Sequence, residues 1–313
     1  MHIAILGATS RIAQDLIRSM AHDPELEFSL YARRPEDVGA SQLGLFQDRH
    51  RVFSFDCFET INTKFDAIIN FVGVGSPAQA TEMGGAIFDA TLLIDELGLA
   101  YVRNHPECRY LFLSSGAAYG TNFDQPVTDA TKSIFDINHL GSQDWYGVAK
   151  LHAESRHRAL KHLAIVDLRV FNYFSSSVKL NAGFLVTDIL SSIINNHVMK
   201  TSGVNITRDY VGPREIVQLV QKILRAPSQN KVVDFFSRAP VDKFSMLEHM
   251  KAELGLQFEI VGGRTGLVAT GNKLNYYSKS RRATQAFGYV PTATSLEIVL
   301  EQSRELLSGL ESE

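Results

Sequence analysis

The chain has 313 residues and a formal net charge of -3, with 45% hydrophobic and 21% charged residues, which is the composition of an ordinary globular protein. This balance creates no field that would attract nucleic acid or an anionic membrane. The two cysteines, Cys57 and Cys108, lack the spacing of a disulfide framework or a metal site. The sequence has no basic and apolar leader and no apolar run of bilayer length, so we expect a cytoplasmic protein that binds neither nucleic acid nor membrane.

The first predicted unit is a strand, a glycine turn and a helix. The strand covers His2–Leu6, and the segment Gly7–Ala13 is similar to a dinucleotide-binding loop. Gly7 supplies the tight turn, whereas Ser10 stands where such loops usually have a second glycine. The backbone N–H of Ser10 can still meet a phosphate, because it lies at the start of a helix. We predict a pyrophosphate site here, with a plain strand-to-helix turn as the alternative.

Two arginines follow the second predicted strand, Phe28–Tyr31. At this point NAD-specific folds usually have a carboxylate for the ribose 2'-hydroxyl, whereas an arginine accommodates a 2'-phosphate. Arg33 and Arg34 therefore favour NADP, and a solvated basic turn is the alternative.

Two further strands and a long helix complete this half of the chain. The third predicted strand, Val52–Phe55, leads to Asp56, which is placed to face an adenine amino group. The fourth, Ala67–Val72, leads to Gly73, where a cofactor can lie close to the backbone. A helix over residues 85–104 follows.

Residues 111–150 carry the clearest chemistry. An apolar run ends in Ser114 and Ser115, which is typical of a buried parallel strand that delivers hydroxyls at its carboxyl end. Tyr146 and Lys150 are four residues apart and share a helix face, where the ammonium lowers the pKa of the phenol. With Ser115 on the same substrate oxygen, the pair can move a proton to or from a carbinol during hydride transfer. The alternative is a solvated helix face that carries a half-buried aromatic ring.

Histidines on the same predicted helix do not indicate a metal site. His152 and His157 are five residues apart and do not share a face as an i, i+4 pair would. We expect both, together with His162, to be at the surface or half-buried. The sequence shows no three- or four-ligand spacing, so we predict no metal.

Motifs in a fixed order run along the whole chain. They are the Gly7–Ala13 loop, Ser-Ser-x-x-x-Tyr-Gly within Leu113–Gly120, Tyr146–Lys150, Leu-Arg-x-Phe-Asn at Leu168–Asn172, Arg-Asp-Tyr-Val at Arg208–Val211, and the tail Ser278–Pro291. In this order they resemble the extended short-chain dehydrogenase/reductase family. The similarity is to its branch of NAD(P)-dependent nucleotide-sugar epimerases, dehydratases and ketoreductases.

The resemblance implies roles for individual residues. Tyr146 would be the catalytic acid/base, Lys150 its partner that also binds the nicotinamide ribose, and Ser115 the hydrogen-bond donor to the reacting oxygen. The residues assigned to the cofactor are Gly7, Thr9, Ser10, Arg11, Ile12, Arg33, Arg34, Asp56, Cys57, Phe71, Val72, Gly73, Ser114, Tyr146, Lys150 and Phe171. Those assigned to the substrate are Ser115, Gly116, Asn172, Arg208 and Arg264, with the two arginines as ligands of a diphosphate.

One departure from the family pattern limits the chemistry. Dehydratases of this branch have an acidic pair directly after the serine or threonine, and here Gly116 and Ala117 occupy those places. We therefore do not expect dehydration.

The order of elements predicts an α/β fold. Alternating strands and helices indicate a Rossmann-like, doubly wound parallel sheet over residues 1–174, completed by 204–238. Residues 175–203 plus 239–313 are expected to form a smaller, mixed α/β substrate domain. The ligand cleft should lie between the two, at the carboxyl ends of the strands.

The predicted function is NADP(H)-linked hydride transfer at a secondary alcohol or ketone of a nucleotide sugar, of the 4-ketoreductase type. Arg33 and Arg34 favour NADPH, although NAD is possible. An NAD-dependent nucleotide-sugar 4-epimerase is the alternative, and a non-catalytic NADP-binding regulatory or scaffold protein is a further one. We expect a homodimer, because the helices corresponding to 85–104 and to Tyr146 pair across dimers in many relatives.

Overall fold

The computed structural model of the protein describes residues 1–39, 50–58, 63–74, 77–262 and 273–311. The strands in these residues are β1 (His2–Leu6), β2 (Glu27–Ala32), β3 (Arg51–Ser54), β4 (Ala67–Asn70), β5 (Arg109–Ser115), β6 (Ile165–Val170), β7 (Asn172–Tyr173), β8 (Met199–Ser202), β9 (Thr207–Arg208), β10 (Tyr210–Val211), β11 (Lys231–Phe235), β12 (Val241–Asp242), β13 (Phe258–Val261) and β14 (Asn275–Tyr276). The α-helices are α1 (Arg11–Met20), α2 (Pro77–Met83), α3 (Ala86–Asn104), α4 (Ser142–Ala159), α5 (Leu185–Ile194), α6 (Pro213–Arg225), α7 (Lys243–Leu254), α8 (Arg282–Phe287) and α9 (Ser295–Glu311). None of these helices has the length and the apolar composition needed to cross a membrane.

Seven parallel strands form the central sheet, in the order β3-β2-β1-β4-β5-β6-β11. The chain builds outward from β1 to β3, then returns to add β4 on the other side of β1. In an open α/β sheet, ligands bind beyond the carboxyl ends of the strands at such a reversal. The strand order confirms the predicted doubly wound fold, and the reversal lies just beyond Leu6 and Asn70.

Both faces of the central sheet are covered by helices. Residues 3–6 of β1 are completely buried, as expected for a parallel strand packed on two sides. Apolar side chains of α1, α6 and α8 form the core on one face of the sheet. Those of α3 and α4 form the core on the other face, so α4 is held directly against the strands that end at the predicted site.

A smaller second lobe has a core of its own, formed by α5, α7 and α9. Its strands form a β13-β8 pair and a three-stranded β12-β9-β14 sheet. Residues 204–238 contribute to both lobes, because β9 lies in the small sheet while α6 and β11 pack in the large one. Helix α8 also packs on the core of the large lobe. The domain boundaries given above stay a prediction.

Two strands of the central sheet end earlier than their apolar pattern suggests. The side-chain Oδ1 of Asn70 accepts the N–H of Val72 at 2.8 Å, and this local turn ends β4 two residues before the predicted end. Likewise, Phe55 begins a single turn of 3-10 helix, so β3 ends at Ser54. The Asn70 side chain takes the Val72 N–H after β4, and a tight turn follows β3 at Ser54.

Candidate active site

The loop after β1 has the geometry that the sequence predicts for a phosphate-binding turn. Gly7 has φ +82°, and a Cβ there would lie 2.9 Å from Cγ2 of Val72. Ser10 is the N-cap residue of α1, with an extended backbone at φ -63° and ψ 137°. The first amide groups of a helix have no partner within it and favour an anion. Thr9 lies in this turn, and Arg11 and Ile12 are the first residues of α1.

The two arginines after β2 are exposed, and one of them is paired. The Arg34 guanidinium lies 2.7 Å from the carboxylate of Asp37, with 71% and 42% of the two side chains exposed. Such surface pairs contribute little stability, so a ligand can compete with Asp37 for Arg34. The guanidinium groups of both arginines are therefore accessible to a ligand. Asp37, which the sequence analysis did not single out, lies in the turn after β2 and puts a carboxylate beside these arginines. Carboxylates and arginines near this strand end are the groups that distinguish NAD from NADP.

The remaining predicted adenine and ribose contacts lie at two strand ends. Asp56 and Cys57 are exposed in the turn after β3. Phe71 is buried in the main core, so its side chain packs away from the surface of the loop. Val72 packs beside Gly7, and a Cβ on Gly73 would lie 3.1 Å from Nζ of Lys150. The loops after β1 and β4 thus meet over the lysine.

Lys150 lies on α4 and is 1% exposed. Its Nζ donates to the carbonyl of Leu113 at 2.8 Å and to that of Val72 at 3.3 Å. It also lies 5.9 Å from the centre of the Tyr146 ring. Burial lowers the pKa of Lys150 to about 8, although the carboxylates at positions 95, 154 and 167 act in the opposite direction.

Ser115 and Tyr146 are brought together by close packing of α4 on the turn after β5. Burial raises the pKa of Tyr146 above its ordinary value, and the contact with Ser115 acts in the opposite direction. The expected lowering by Lys150 is therefore not seen, because burial of the phenol dominates. The Ser115 Oγ also accepts the N–H of Ala117 at 3.1 Å. A Cβ on Gly147 would lie 2.5 Å from the carbonyl oxygen of Ala117, so only glycine permits this approach. The predicted trio of Ser115, Tyr146 and Lys150 therefore shares one site at the end of β5.

Ser114 points to a different group. Its hydroxyl donates to Oε1 of Glu154 at 2.5 Å, and the same carboxylate accepts from Nε of Arg169 at 2.9 Å. The Arg169 guanidinium lies 4.1 Å from the centre of the Tyr119 ring, and the Tyr119 hydroxyl donates to Asp234 at 3.0 Å. This buried network accounts for the arginine of the Leu-Arg-x-Phe-Asn motif, and it fixes the end of β5.

The predicted substrate residues lie on the side of the second lobe. Phe171 packs on Gly116, where a Cβ would lie 2.6 Å from the ring. The Asn172 side chain donates to the carbonyl of Asp209 at 3.0 Å. Arg208 is 3% exposed and donates to the carbonyl of Lys273 at 2.7 Å. Arg264 lies outside the described residues, and its role stays a prediction.

Two residues at the site were missed by the sequence analysis, because both follow the last strongly patterned motif before the tail. The Tyr276 hydroxyl lies 3.4 Å from Oγ of Ser115. The Lys273 Nζ lies 4.5 Å from the centre of the Tyr276 ring, and burial lowers its pKa to about 8, with a smaller effect of Arg208 in the same direction. The second lobe thus contributes a hydroxyl and a cation to the site.

His157 corrects a prediction of the sequence analysis. It is completely buried rather than half-exposed, with Nδ1 2.6 Å from Asp167 and Nε2 2.8 Å from Asp95. The two carboxylates outweigh burial and raise the pKa of His157 to about 9. The histidine therefore ties α4 to α3 and β6 as a charged structural group. Among the described residues, no group of three or more His, Cys, Asp or Glu side chains is arranged to hold a metal ion.

Comparisons with known proteins agree with this fold. A segment of 171 residues, 53% of the chain, is 26% identical to UDP-glucose 4-epimerase 4 of Oryza sativa subsp. japonica and spans 40% of that protein. Over 99% of its length the chain is similar to UDP-glucose 4-epimerase of Thermotoga maritima with UDP-glucose, with 14% sequence identity, a TM-score of 0.80 and 100% of that chain covered. Over 99% of its length it is also similar to UDP-glucuronic acid 4-epimerase of Bacillus cereus in complex with NAD, with 14% identity, a TM-score of 0.78 and 99% of that chain covered. At these identities, the likeness to solved structures establishes the fold. The sequence model of the NAD dependent epimerase/dehydratase family matches residues 3–236, and the chain therefore belongs to that family.

Proposed function

We propose that this protein is an NAD-dependent nucleotide-sugar 4-epimerase, which oxidises the carbinol at the sugar 4-position and reduces the ketone again. The observation that carries the proposal is the convergence of Ser115, Tyr146 and the buried Lys150 at the carboxyl end of the central sheet, in a chain of this family. The named relatives are 4-epimerases of UDP-sugars, which supports this reaction over the ketone reduction that the two arginines alone favoured.

The residues around the ends of β1 and β4 fit a dinucleotide cofactor. Gly7 and Gly73 leave space that a Cβ would fill, and the first turn of α1 offers backbone amides to a pyrophosphate. Lys150 lies below Gly73, where a ribose hydroxyl would meet its ammonium group. When bound there, NAD supplies an acceptor and a donor of hydride for the carbinol carbon.

The trio can move the proton that accompanies this chemistry. In the oxidation, the Tyr146 phenolate takes the proton of the sugar hydroxyl while Ser115 holds the same oxygen. In the reduction, the Tyr146 phenol returns the proton to the ketone oxygen. The Lys150 ammonium favours the phenolate form, because an opposite charge nearby stabilises the ionised group. Each residue ends the cycle in its starting state.

The turn after Ser115 does not offer the groups that dehydration needs. Gly116 and Ala117 stand where dehydratases of the resembling branch have an acidic pair, and the space over Gly116 is filled by the ring of Phe171. No carboxylate is therefore available at these two positions to remove a proton beside the ketone. This supports epimerisation or simple reduction.

A second candidate is an NADP(H)-linked 4-ketoreductase. It is favoured by Arg33 and Arg34, two exposed arginines at the end of β2 that suit a 2'-phosphate. The carboxylate of Asp37 beside Arg34 weakens this argument, because it offsets one of the two charges.

The decisive experiment incubates the purified protein with UDP-glucose, UDP-glucuronic acid or UDP-N-acetylglucosamine and catalytic NAD, and follows the sugar protons by NMR. We expect one substrate to convert to its 4-epimer without net consumption of cofactor. Tyr146→Phe should lower kcat by about 10²- to 10⁴-fold and leave NAD affinity nearly unchanged, since it removes the acid/base alone.

Other outcomes separate the candidates. Stoichiometric oxidation of NADPH with a 4-keto nucleotide sugar, and loss of NADPH preference in Arg33→Ala, would replace the epimerase with the ketoreductase. Cofactor binding without turnover of any nucleotide sugar in the panel would favour a regulatory or scaffold role.

We further propose that the protein is a cytoplasmic homodimer formed through α3 and α4. Helix α3 exposes the side chains of Leu92 and Leu93, and 66% of the Leu93 side chain faces solvent. Contact with a second copy would bury this apolar surface. Both cysteines are thiols, which is consistent with a reducing compartment.

A further inference from the structure

Ser115 has three polar neighbours at one hydroxyl. The N–H of Ala117 donates to its Oγ at 3.1 Å, the Tyr276 hydroxyl lies 3.4 Å away, and Tyr146 is the third neighbour. A serine hydroxyl offers one proton and two lone pairs. The direction of its proton therefore depends on which neighbours donate to it.

The chemistry assigned to Tyr146 decides this direction. As a phenolate, Tyr146 has no proton and can only accept, so Ser115 must donate to it. The Ala117 amide is a donor and occupies one lone pair of Ser115. The second lone pair then needs a donor, and the Tyr276 hydroxyl is the group within reach.

Tyr276 is suited to remain a donor. Burial raises its pKa, and the neighbouring Tyr146 raises it further, although Ser115, Arg208 and the Ala117 amide act in the opposite direction. The cations that face its ring are Arg208, at 6.0 Å from the ring centre, and Lys273, at 4.5 Å. One tyrosine of the pair can thus titrate while the other stays protonated.

The second lobe holds the Tyr276 ring in place. Strand β14 pairs with β9 so that Tyr276 stands opposite Arg208. The ring packs edge-on against Phe123 at 4.7 Å and tilted against Phe171 at 5.1 Å, and 5% of the residue is exposed. Its hydroxyl is therefore directed by packing rather than by a flexible chain.

We propose that Tyr276 is a positioning residue, which donates to Ser115 and so directs the single Ser115 proton into the site, to the Tyr146 phenolate before substrate binds and to the reacting oxygen afterwards. The inference rests on the proposed acid/base function of Tyr146. It adds a residue from the second lobe to the catalytic geometry, so formation of an active site requires that the two lobes are docked.

The test compares Tyr276→Phe with Tyr277→Phe in the NAD-bound protein. Tyr276→Phe keeps the ring but removes the donor, and we expect kcat to fall about 3- to 10-fold with KM unchanged, as for loss of one hydrogen bond. The ionisation of Tyr146, which forms the phenolate base and gives the rising limb of the pH profile, should move to higher pH, because the Ser115 proton is no longer directed to the phenolate. Tyr277→Phe, the adjacent ring, should change neither quantity.

A double-mutant cycle with Ser115→Ala tests whether Tyr276 acts through Ser115. In the Ser115→Ala background, Tyr276→Phe should have no further effect on kcat. Additive losses, a rise in KM at constant kcat, or an unchanged pH profile would each overturn the proposal. Equal melting temperatures of wild type and Tyr276→Phe would exclude a simple folding defect.

One readout does not depend on the substrate. Phenolate absorbance of the NAD-bound protein, with the Tyr146→Phe spectrum subtracted, follows the ionisation of Tyr146 directly. A shift to higher pH in Tyr276→Phe, but not in Tyr277→Phe, would support the proposal even if none of the nucleotide sugars tested were turned over. An unshifted titration would contradict it whatever the substrate.

Discussion

At the scale of single residues, Lys150 shows how burial gives an ordinary side chain a special property. Its ammonium is held by the carbonyls of Leu113 and Val72, so it is fixed although it has no carboxylate in direct contact among the described residues. Removal from water disfavours the charged form, and this brings the pKa of the lysine to about 8. The group can therefore lose its charge within the pH range in which enzymes are assayed.

This predicts a falling limb of kcat above about pH 8. Below that pKa the ammonium is present. As an opposite charge beside the site it is expected to favour a phenolate at Tyr146, and above that pKa this effect is lost. Lys150→Met should lower kcat roughly 10- to 100-fold, as expected for loss of one charge near the phenol, and should remove the falling limb.

The control is Lys161→Met, which changes an exposed lysine. It should leave the pH profile of kcat unaltered. Persistence of the falling limb in Lys150→Met would assign it to another group.

At the scale of elements, the position of α4 decides whether the trio can form. Gly147 lets the helix approach the turn after β5, and His157 fixes the other end of the helix between Asp95 and Asp167. The four-residue spacing of Tyr146 and Lys150 predicts their common face. It does not predict how close that face comes to Ser115.

Gly147→Ala therefore should lower activity although alanine favours helix formation. The added Cβ would meet the Ala117 carbonyl at 2.5 Å, and the shift that relieves this contact moves Tyr146 away from Ser115. We expect a fall in kcat of at least about 10-fold, since acid/base transfer requires hydrogen-bond contact, together with a lower melting temperature.

Gly309→Ala is the matched control, because Gly309 also lies within a helix and a Cβ there meets nothing within 4 Å. It should raise stability by up to about 1 kcal/mol through helix propensity alone, with kcat unchanged. Full activity of Gly147→Ala would show that the close approach is not needed.

At the scale of the whole molecule, contacts from distant parts of the chain join the two lobes at the candidate site. Ser115 and Tyr276 are 161 residues apart in sequence. Asp209 accepts hydrogen bonds from the N–H of Ser237 and the hydroxyl of Ser295, which connect the lobes behind Arg208. Burial raises the pKa of this carboxyl to about 6. The residues predicted to bind substrate and those predicted to transfer the proton thus depend on one arrangement of both lobes.

The proposed dimer gives a prediction at this scale. Leu93→Glu on α3 should convert the protein from dimer to monomer, because it replaces an apolar side chain that the interface would bury with a charge. Size-exclusion chromatography with light scattering measures the change directly.

Ile137→Glu provides the comparison, since Ile137 is 72% exposed but does not lie on α3 or α4. It should leave the mass unchanged. A wild-type protein that is already monomeric, or a Leu93→Glu variant that stays dimeric, would rule out this interface.

The sequence by itself determined the α/β fold and the pairing of Tyr146 with Lys150. Both depend on local periodicity, namely apolar runs that only a parallel sheet buries and a spacing that places two side chains on one helix face. The tertiary structure alone brought Tyr276 to Ser115 and buried His157 between two carboxylates. Those contacts join segments that no local pattern relates, because they arise when separate elements pack.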